Sequence, residues 1–263
     1  MVQRPLGNHH HGPDTLLVTS ETATQTDPVA KETESLRELI KSARFVLFDF
    51  DGPICRLFAG LPAQRVAREL VQWLEDLGLR ELLTEEERVH PDPHVVVQAV
   101  NRRHPDSDLV MELEERLTLL ELKAAATAYP TPYADPLIRT WAAVGSRLAI
   151  TTNNSPLVAA QYLESRGLTE CFAPHVYGRT QNLALMKPNP YCLTRALNAM
   201  GAAPSEALMI GDAPSDFDAA EAAGVPFLGY ARNERKEREL RASGATHTVS
   251  SLDTVLGLLR SEG

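Results

Sequence analysis

Hydrophobic residues follow two alternating patterns along most of the chain. Short runs typical of buried β-strands occur at 45–50, 148–151, 175–177, 207–211, 225–228 and 246–249, the third being weaker than the others. Segments with apolar residues at helical spacing separate these runs. Because strands separated by helices pair in parallel through right-handed crossovers, the pattern predicts an α/β fold with a parallel sheet.

A long segment between the first two strands, from residue 61 to about 130, carries only the helical pattern. Its apolar positions include Val66, Leu70, Trp73, Leu74 and Leu77. Thr84 and Glu87 fit a capping box, and further helix starts are expected at Asp92 and Asp108. We therefore predict an all-helical cap that is inserted into the core after the first strand.

The N-terminal 33 residues are rich in Thr, Pro, His and acids and contain few large apolar side chains. Such a segment buries too little surface to offset the entropy of ordering, so it is predicted to be a disordered tail. Its run His9–His11 could bind a metal weakly, but a solvated tail is the preferred interpretation. A short amphipathic helix is expected at 33–44, just before the first strand.

The predicted fold is α/β, with a three-layer, Rossmann-like parallel-sheet core and the inserted helical cap. The tail comprises 1–33, the core 34–58 and 131–263, and the cap 59–130. Ser155 and Pro156 are expected to begin the helix after the second strand, and Ser250 with Asp253 to cap the last helix.

Composition narrows the class of protein. The chain has 263 residues, of which 43% are hydrophobic and 23% charged, as in an ordinary globular protein. A formal charge of −9 argues against nonspecific binding to nucleic acid or to an anionic membrane surface. The cysteines Cys55, Cys171 and Cys192 lack metal-type spacing, so a reducing cytoplasm is the expected location.

Polar residues follow the predicted strands at their carboxyl ends. In chain order they are Asp49 and Asp51, Thr152 and Asn153, Lys187, and Asp212 and Asp216. In a parallel sheet these ends meet at one edge, where open α/β sheets bind ligands. Two carboxylates 4 Å apart repel by about 4 kcal/mol at an effective dielectric near 20, so the cluster favours a divalent cation. Oxygen ligands suit Mg²⁺, and Lys187 suits a phosphate.

A further anion site is predicted where the helix begins at Ser155–Pro156, because the first N–H groups of a helix have no partner within it. This site would lie beside Thr152 and Asn153. Together with the acidic cluster and Lys187, it predicts electrostatic stabilisation of a phosphoryl group in transfer.

These motifs resemble those of the haloacid dehalogenase-like hydrolase superfamily, and among its members the phosphoglycolate-phosphatase-like enzymes. The resemblance covers the chain from about residue 44 to its end. Its four motifs are DFDGP at 49–53, TTN at 151–153, Lys187 in KPNP, and GDAPSD at 211–216. Pro53 departs from the family, in which Thr or Val is commoner at that position, but it carries no catalytic group.

The resemblance implies a role for each motif. Asp49 is expected to be the nucleophile that forms an aspartyl-phosphate, and Asp51 the general acid and then the general base. Thr152 and Lys187 would hold the phosphoryl group, with Asn153 beside them. Mg²⁺ would be held by Asp49, the Asp51 carbonyl, Asp212 and Asp216. The cap is expected to close over the site and select the substrate.

The motifs leave other reactions open. A phosphomutase of the same fold would keep all four motifs. A haloacid dehalogenase would need neither Asp51 nor Mg²⁺, so Asp51 argues against it. A non-catalytic binding protein would be favoured by the loss of a motif carboxylate, and all of them are present.

The substrate is expected to be a small phosphorylated metabolite, without nucleic acid or membrane partners, and the protein a monomer or homodimer. Candidate groups for an anionic substrate are Arg56, Arg65, His94, Arg102 and Arg103. Arg56 is the preferred one, because it follows Asp51 by only five residues.

Overall fold

The computed structural model describes residues 28–261. The histidine run and most of the predicted tail therefore lie outside the described residues. The first helix begins at Pro28, inside the segment predicted as tail, and includes the expected lead-in helix. The described elements are α1 (Pro28–Ser42), β1 (Phe45–Phe48), β2 (Cys55–Arg56), α2 (Ala63–Asp76), α3 (Glu85–Val89), α4 (Pro93–Arg103), α5 (Asp108–Ala125), β3 (Tyr129–Pro130), α6 (Ala134–Ala143), β4 (Arg147–Thr151), α7 (Pro156–Arg166), α8 (Thr169–Phe172), β5 (Val176–Tyr177), α9 (Tyr191–Met200), β6 (Ala207–Gly211), α10 (Pro214–Ala223), β7 (Phe227–Tyr230), α11 (Glu234–Ser243), β8 (Thr248–Val249) and α12 (Leu252–Arg260).

Six parallel strands form the main sheet, in the order β5-β4-β1-β6-β7-β8. The strand β1 lies at the centre and pairs on either side, with Phe48 opposite Ile150 and Ile210. The predicted parallel α/β fold is thus confirmed. The strand order changes direction at β1, and this is the position where open sheets of this kind bind ligands.

Successive residues of β1 face two different helical layers, as a strand of period two requires. Val46 and Phe48 belong to a core cluster formed with α1, α6, α7, α8 and α12. Phe45 and Leu47 belong to a second cluster with α9, α10 and α11. All residues of β1 are buried, which explains why its sequence is uniformly apolar rather than alternating.

The helices α2, α4 and α5 have a hydrophobic cluster of their own, built on Val66, Leu70, Val100, Leu113 and Leu117. Leu183 and Met186, from the loop before α9, also join this cluster. The segment leaves the core through β2 and returns through β3, and these two strands pair antiparallel. The sequence did not predict this ribbon, because two residues per strand are too few to show an alternation of apolar and polar positions.

Several predicted helix ends are correct. The capping box at Thr84 and Glu87 is present, and Asp92 caps α4 through the N–H of His94. Two others are shifted by one residue, because Ser107 rather than Asp108 caps α5 and Ser251 rather than Ser250 caps α12. Ser155 stands at the start of α7 but makes no capping bond with its side chain.

The helix α11 was not predicted, and the fifth strand lies two residues later than expected, at Phe227–Tyr230. Within α11 only Leu240 is buried, so its sequence shows no apolar face to recognise. Among residues 28–261, no helix combines the length and the apolar composition that crossing a bilayer requires.

Candidate active site

The two aspartates of the first motif lie directly after the central strand. Asp49 continues β1 by donating its N–H to the Ile210 carbonyl at 2.9 Å. The chain then turns at Gly52, whose φ of +127° is unfavourable for any other residue. A Cβ on Gly52 would lie 2.5 Å from Cγ of Asp212, so only glycine allows the first and fourth motifs to approach so closely.

Lys187 connects three of the predicted motifs. Its ammonium donates to Asp49 Oδ1 at 2.8 Å, to Asp216 Oδ1 at 2.6 Å and to the Thr151 carbonyl at 2.8 Å. Burial disfavours the charged form, but Asp216 and Asp49 outweigh it and raise the pKa of Lys187. The lysine therefore remains a cation inside the protein, and it holds the side chain of Asp49 in place.

Asp216 is fully engaged by the protein. Its Oδ2 accepts the N–H groups of Asp212 and Ala213, each at 3.0 Å, and its Oδ1 accepts from Lys187. A Cβ on Gly211 would lie 2.4 Å from the Cβ of Asp216, which again explains a glycine in the motif. Asp216 thus orients the loop that carries Asp212.

The acidic cluster fits a metal ion. Asp49, Asp212 and Asp216 each offer a carboxylate oxygen, and the three atoms lie within 4.8 Å of one another. All three residues are buried, and hard oxygen ligands in this number suit a divalent cation. Because both oxygens of Asp216 already accept hydrogen bonds, Asp49 and Asp212 are better placed as direct ligands.

Burial also changes the acidity of the first-motif carboxyls. It raises the pKa of Asp51 to about 7, with a further contribution from Asp212, and that of Asp49 to about 6. The lysine beside Asp49 opposes the rise, so this carboxyl remains largely ionised at neutral pH. Asp51 is the more easily protonated of the two. Its Oδ1 accepts the N–H of Leu57 at 2.8 Å, which fixes the side chain.

Thr152 and Asn153 lie beside the cluster but differ in their bonding. The hydroxyl of Thr152 donates to Asn154 Oδ1 at 3.1 Å and is buried at the edge of the cavity. The side chain of Asn153 instead bonds the backbone of Lys187 twice, accepting its N–H at 2.7 Å and donating to its carbonyl at 3.0 Å. Asn153, which we predicted to bind phosphate, uses these bonds to hold the lysine segment.

The predicted anion site at the start of α7 already holds a carboxylate of the chain. Glu121, on α5, accepts the N–H of Ser155 at 3.1 Å and the side-chain amide of Asn154 at 2.9 Å. Arg179 donates to both oxygens of Glu121, at 2.9 and 3.1 Å. The side chains of Glu121 and Arg179 are completely buried. This helix start is therefore occupied by Glu121.

A cavity of about 370 Å³ opens onto the site. Its lining combines the motif residues Asp49, Asp51, Thr152, Asn153, Lys187, Asp212 and Asp216 with His94, Arg232, Arg235 and Lys236. Every residue predicted for the catalytic and metal roles therefore lies in one place. The cationic side chains around the carboxylates suit a substrate that carries negative charge.

Of the five predicted substrate-binding cations, only His94 lines this cavity. Arg56 lies over the ring of Tyr129, 5.5 Å from its centroid, and is exposed. The remaining three bond acids of the cap. Arg65 pairs with Glu69, and Arg102 and Arg103 both pair with Glu87. Proximity to Asp51 in sequence did not bring Arg56 into the cavity, because the chain reverses within the ribbon.

Lys236 is a cavity residue that the sequence did not indicate. Its ammonium bonds Asp212 through Oδ2 at 3.0 Å and through the carbonyl at 2.9 Å. It lies on α11, the helix without an apolar face, so no predicted element placed it near the site. The sequence offered one indication of this helix, namely Asn233, which is the N-cap residue of α11 and accepts the N–H of Lys236.

A larger groove, of about 710 Å³, lies at the opposite end of the sheet. Its basic lining includes Arg37, Lys41, Arg44, Arg147 and Arg260. Lys41 and Arg260 are in the last turns of α1 and α12, where cations offset the negative end of a helix. This groove contains none of the motif residues.

Fold and site together place a buried acidic cluster and a lysine at the carboxyl end of the central strand. A family model described as haloacid dehalogenase-like hydrolase matches residues 43–224. The chain belongs to this family, and the resemblance inferred from its four motifs is confirmed.

Curated relatives of the chain include phosphoglycolate phosphatases. The one from Mesorhizobium japonicum is 27% identical over 237 residues, which cover 84% of this chain and 99% of that protein. The one from Rhodospirillum rubrum is 40% identical over a shorter match, covering 41% of this chain and 45% of the relative.

Solved structures agree with the fold. A haloacid dehalogenase-like family hydrolase from Streptococcus pneumoniae has a TM-score of 0.59 at 17% identity, over 82% of this chain and 98% of that one. A subfamily IA hydrolase of the same superfamily from Geobacter sulfurreducens has a TM-score of 0.53 at 22% identity, over 83% and 97%. At these identities the likeness concerns the fold alone.

Proposed function

We propose that the protein is a Mg²⁺-dependent phosphatase of a small phosphorylated metabolite, and that it works through an aspartyl-phosphate on Asp49. The observation that carries the proposal is the contact between Asp49 and Lys187 at 2.8 Å beside a buried acidic cluster. The phosphoglycolate phosphatases among its relatives suggest phosphoglycolate, or a phosphate ester of similar size, as the substrate.

In the first half-reaction, Asp49 attacks the phosphorus, and the bond to the leaving oxygen breaks. Lys187 keeps the nucleophile oriented, and its charge balances that of Asp49 in the absence of substrate. Asp51 donates a proton to the leaving oxygen, a role that suits a carboxyl with a pKa of about 7. The products of this step are the free alcohol and the acyl phosphate of Asp49.

In the second half-reaction, a water attacks the phosphorus and Asp51, now ionised, accepts its proton. The carboxylate of Asp49 is released and inorganic phosphate leaves. Asp49, Asp212 and the carbonyl of Asp51 would hold Mg²⁺, with Asp216 in support through its hold on Asp212. When bound, the ion supplies positive charge that offsets the repulsion between the carboxylates and the phosphoryl oxygens.

The experiment is a screen of phosphorylated metabolites with the purified protein and Mg²⁺, in which phosphate release is measured. We expect turnover of phosphoglycolate or of a comparably small ester, and none with chelator in excess. A product that retains phosphate at a new position would instead identify a phosphomutase. Absence of both reactions across the set would contradict the proposal.

A further inference from the structure

The buried pair of Glu121 and Arg179 joins the cap to the loop of the second motif. Each oxygen of Glu121 accepts one hydrogen bond from Arg179 and one from that loop, through Asn154 on one side and Ser155 on the other. Nε2 of His94, on α4, also lies 3.4 Å from Oε1 of Glu121. The carboxylate binds the core as an external anion would bind the start of α7.

Arg179 bonds three side chains on one face of α5. Its guanidinium bonds Glu114 at 3.0 Å and Thr118 at 3.0 Å as well as Glu121. Spacings of four and three residues place these three side chains in line along the helix. In sequence they look like a solvated stripe beside the apolar one, which explains why the pair was missed.

The same arginine is tied to the loop by its backbone. Its N–H donates to the Asn154 carbonyl at 2.9 Å, and its Nη1 donates to the Asn153 carbonyl at 3.0 Å. The neighbouring Gly178 permits this approach, because a Cβ there would lie 2.5 Å from the Asn154 carbonyl oxygen. The loop that carries Thr152 and Asn153 is thus held from both sides by Glu121 and Arg179.

We infer that Glu121, held by Arg179, is a positioning residue for the phosphate-binding loop at Thr152–Ser155. The inference rests on the proposed function, since it assigns the loop a phosphoryl ligand. Asn154 links Glu121 to Thr152. Its side-chain amide donates to Glu121, its N–H donates to the Thr152 hydroxyl, and its Oδ1 accepts from that hydroxyl, the last two at 3.1 Å. The helix α5 of the cap is therefore part of the phosphate-binding machinery.

The test separates positioning from stability. In Glu121→Gln, an NH₂ group replaces one of the two oxygens that accept from Arg179 and the loop. Donors would then face a donor, so we expect the loop to shift. We expect kcat with p-nitrophenyl phosphate to fall, and the inhibition constant of inorganic phosphate to rise, each by about tenfold or more. The double variant Glu121→Leu with Arg179→Met fills the same space with apolar side chains and leaves no unpaired buried charge. Its Tm should therefore exceed that of Glu121→Gln, while its kcat and its phosphate inhibition constant remain impaired.

Two further variants keep the test decisive. Glu87→Gln is the matched control, since Glu87 bonds Arg102, Arg103 and the Thr84 N–H and does not bond the second-motif loop. Its kinetic constants should stay within about twofold of wild type. Thr118→Ala removes one bond of Arg179 and keeps the ion pair, so this variant tests the inference even where the other variants do not fold. Its phosphate inhibition constant should rise about two- to fivefold.

A double variant that restores both Tm and wild-type kinetics would overturn the inference and leave Glu121 a structural residue. Unchanged phosphate inhibition in Thr118→Ala would count against it in the same way. A wild-type protein without phosphatase activity would contradict the proposed function instead, so the two failures are distinguishable.

Discussion

Two buried clusters of ionised side chains lie side by side in this protein, one around Lys187 and the other around Arg179. In the Lys187 cluster, the lysines bond Asp49 through Oδ1 and Asp212 through Oδ2, so each of these carboxylates has a second oxygen for a metal ion. In the Arg179 cluster, both oxygens of Glu121 are fully bonded by protein donors. Only the first cluster has unfilled capacity to bind a cation and a phosphate.

The difference shows how similar residues serve different ends. Both clusters use a buried cation against carboxylates, and both lie at loops that follow strands. Saturation makes the Arg179 cluster a fixed joint, whereas incomplete pairing makes the Lys187 cluster reactive. Breaking each cluster should therefore affect different measurements.

The largest effect is expected from Asp49→Asn. Without an anionic nucleophile the phosphatase activity should fall by about 10⁴-fold or more, as in enzymes that lose their nucleophile. The fold should survive because the amide keeps the shape of the carboxylate, so the Tm should change little. The control is Asp218→Asn, which makes the same change at an exposed aspartate two residues after Asp216. Turnover comparable to wild type would exclude Asp49 as nucleophile.

Removal of divalent metal should come next. With chelator in excess we expect activity to be lost and then restored by added Mg²⁺. At a concentration of 100 times its dissociation constant, the ion should stabilise the protein by about 2.7 kcal/mol, which calorimetry would detect as a raised Tm. In Asp212→Asn this rise should disappear. Full activity in chelator would contradict the metal site.

A smaller effect is expected from Asp51→Asn. Loss of the general acid and base should reduce kcat by about 10²- to 10⁴-fold. With p-nitrophenyl phosphate the leaving group needs no proton, so the first step should persist while hydrolysis of the acyl phosphate slows. Rapid-quench measurements should then show a burst of p-nitrophenol equal to the enzyme concentration. A steady release without a burst would argue against the second role of Asp51.

The smallest effect concerns His94, at the border of the two clusters. Asp92 and Glu121 face its ring nitrogens at 3.2 and 3.4 Å, and Arg179 Nη1 also lies 3.4 Å from Nε2. Burial opposes protonation, but Asp92 and Glu121 outweigh it and raise the pKa of His94 to about 9. Protonation therefore contributes stability that is complete below pH 6.5 and is lost as the pH rises to about 9.

In His94→Gln the Tm should depend less on pH across this interval than in wild type. His104→Gln, at an exposed histidine of the same cap, should leave the dependence unchanged. Identical pH profiles for wild type and His94→Gln would contradict the charged state of His94.

The sequence was informative where local chemistry and position coincide. The apolar run of β1 followed by Asp49, and the glycine before Asp212, predicted two buried strands and the acidic cluster at their carboxyl ends. It was uninformative where partners are far apart in the chain. Nothing local distinguishes Glu121 from a solvated acid until Arg179, 58 residues later, folds against it. Similarly, Arg56 is near Asp51 in sequence but outside the cavity.

The short ribbon of β2 and β3 has a consequence for how the helical segment is attached. Both passages of the chain between sheet and cap run through one antiparallel pair, Cys55 opposite Pro130 and Arg56 opposite Tyr129. The two chain connections of the inserted segment are thus hydrogen-bonded to each other in one ribbon. A different insertion could be joined to this ribbon without altering any strand of the sheet, but it would have to supply a carboxylate in place of Glu121 to keep the second-motif loop in position.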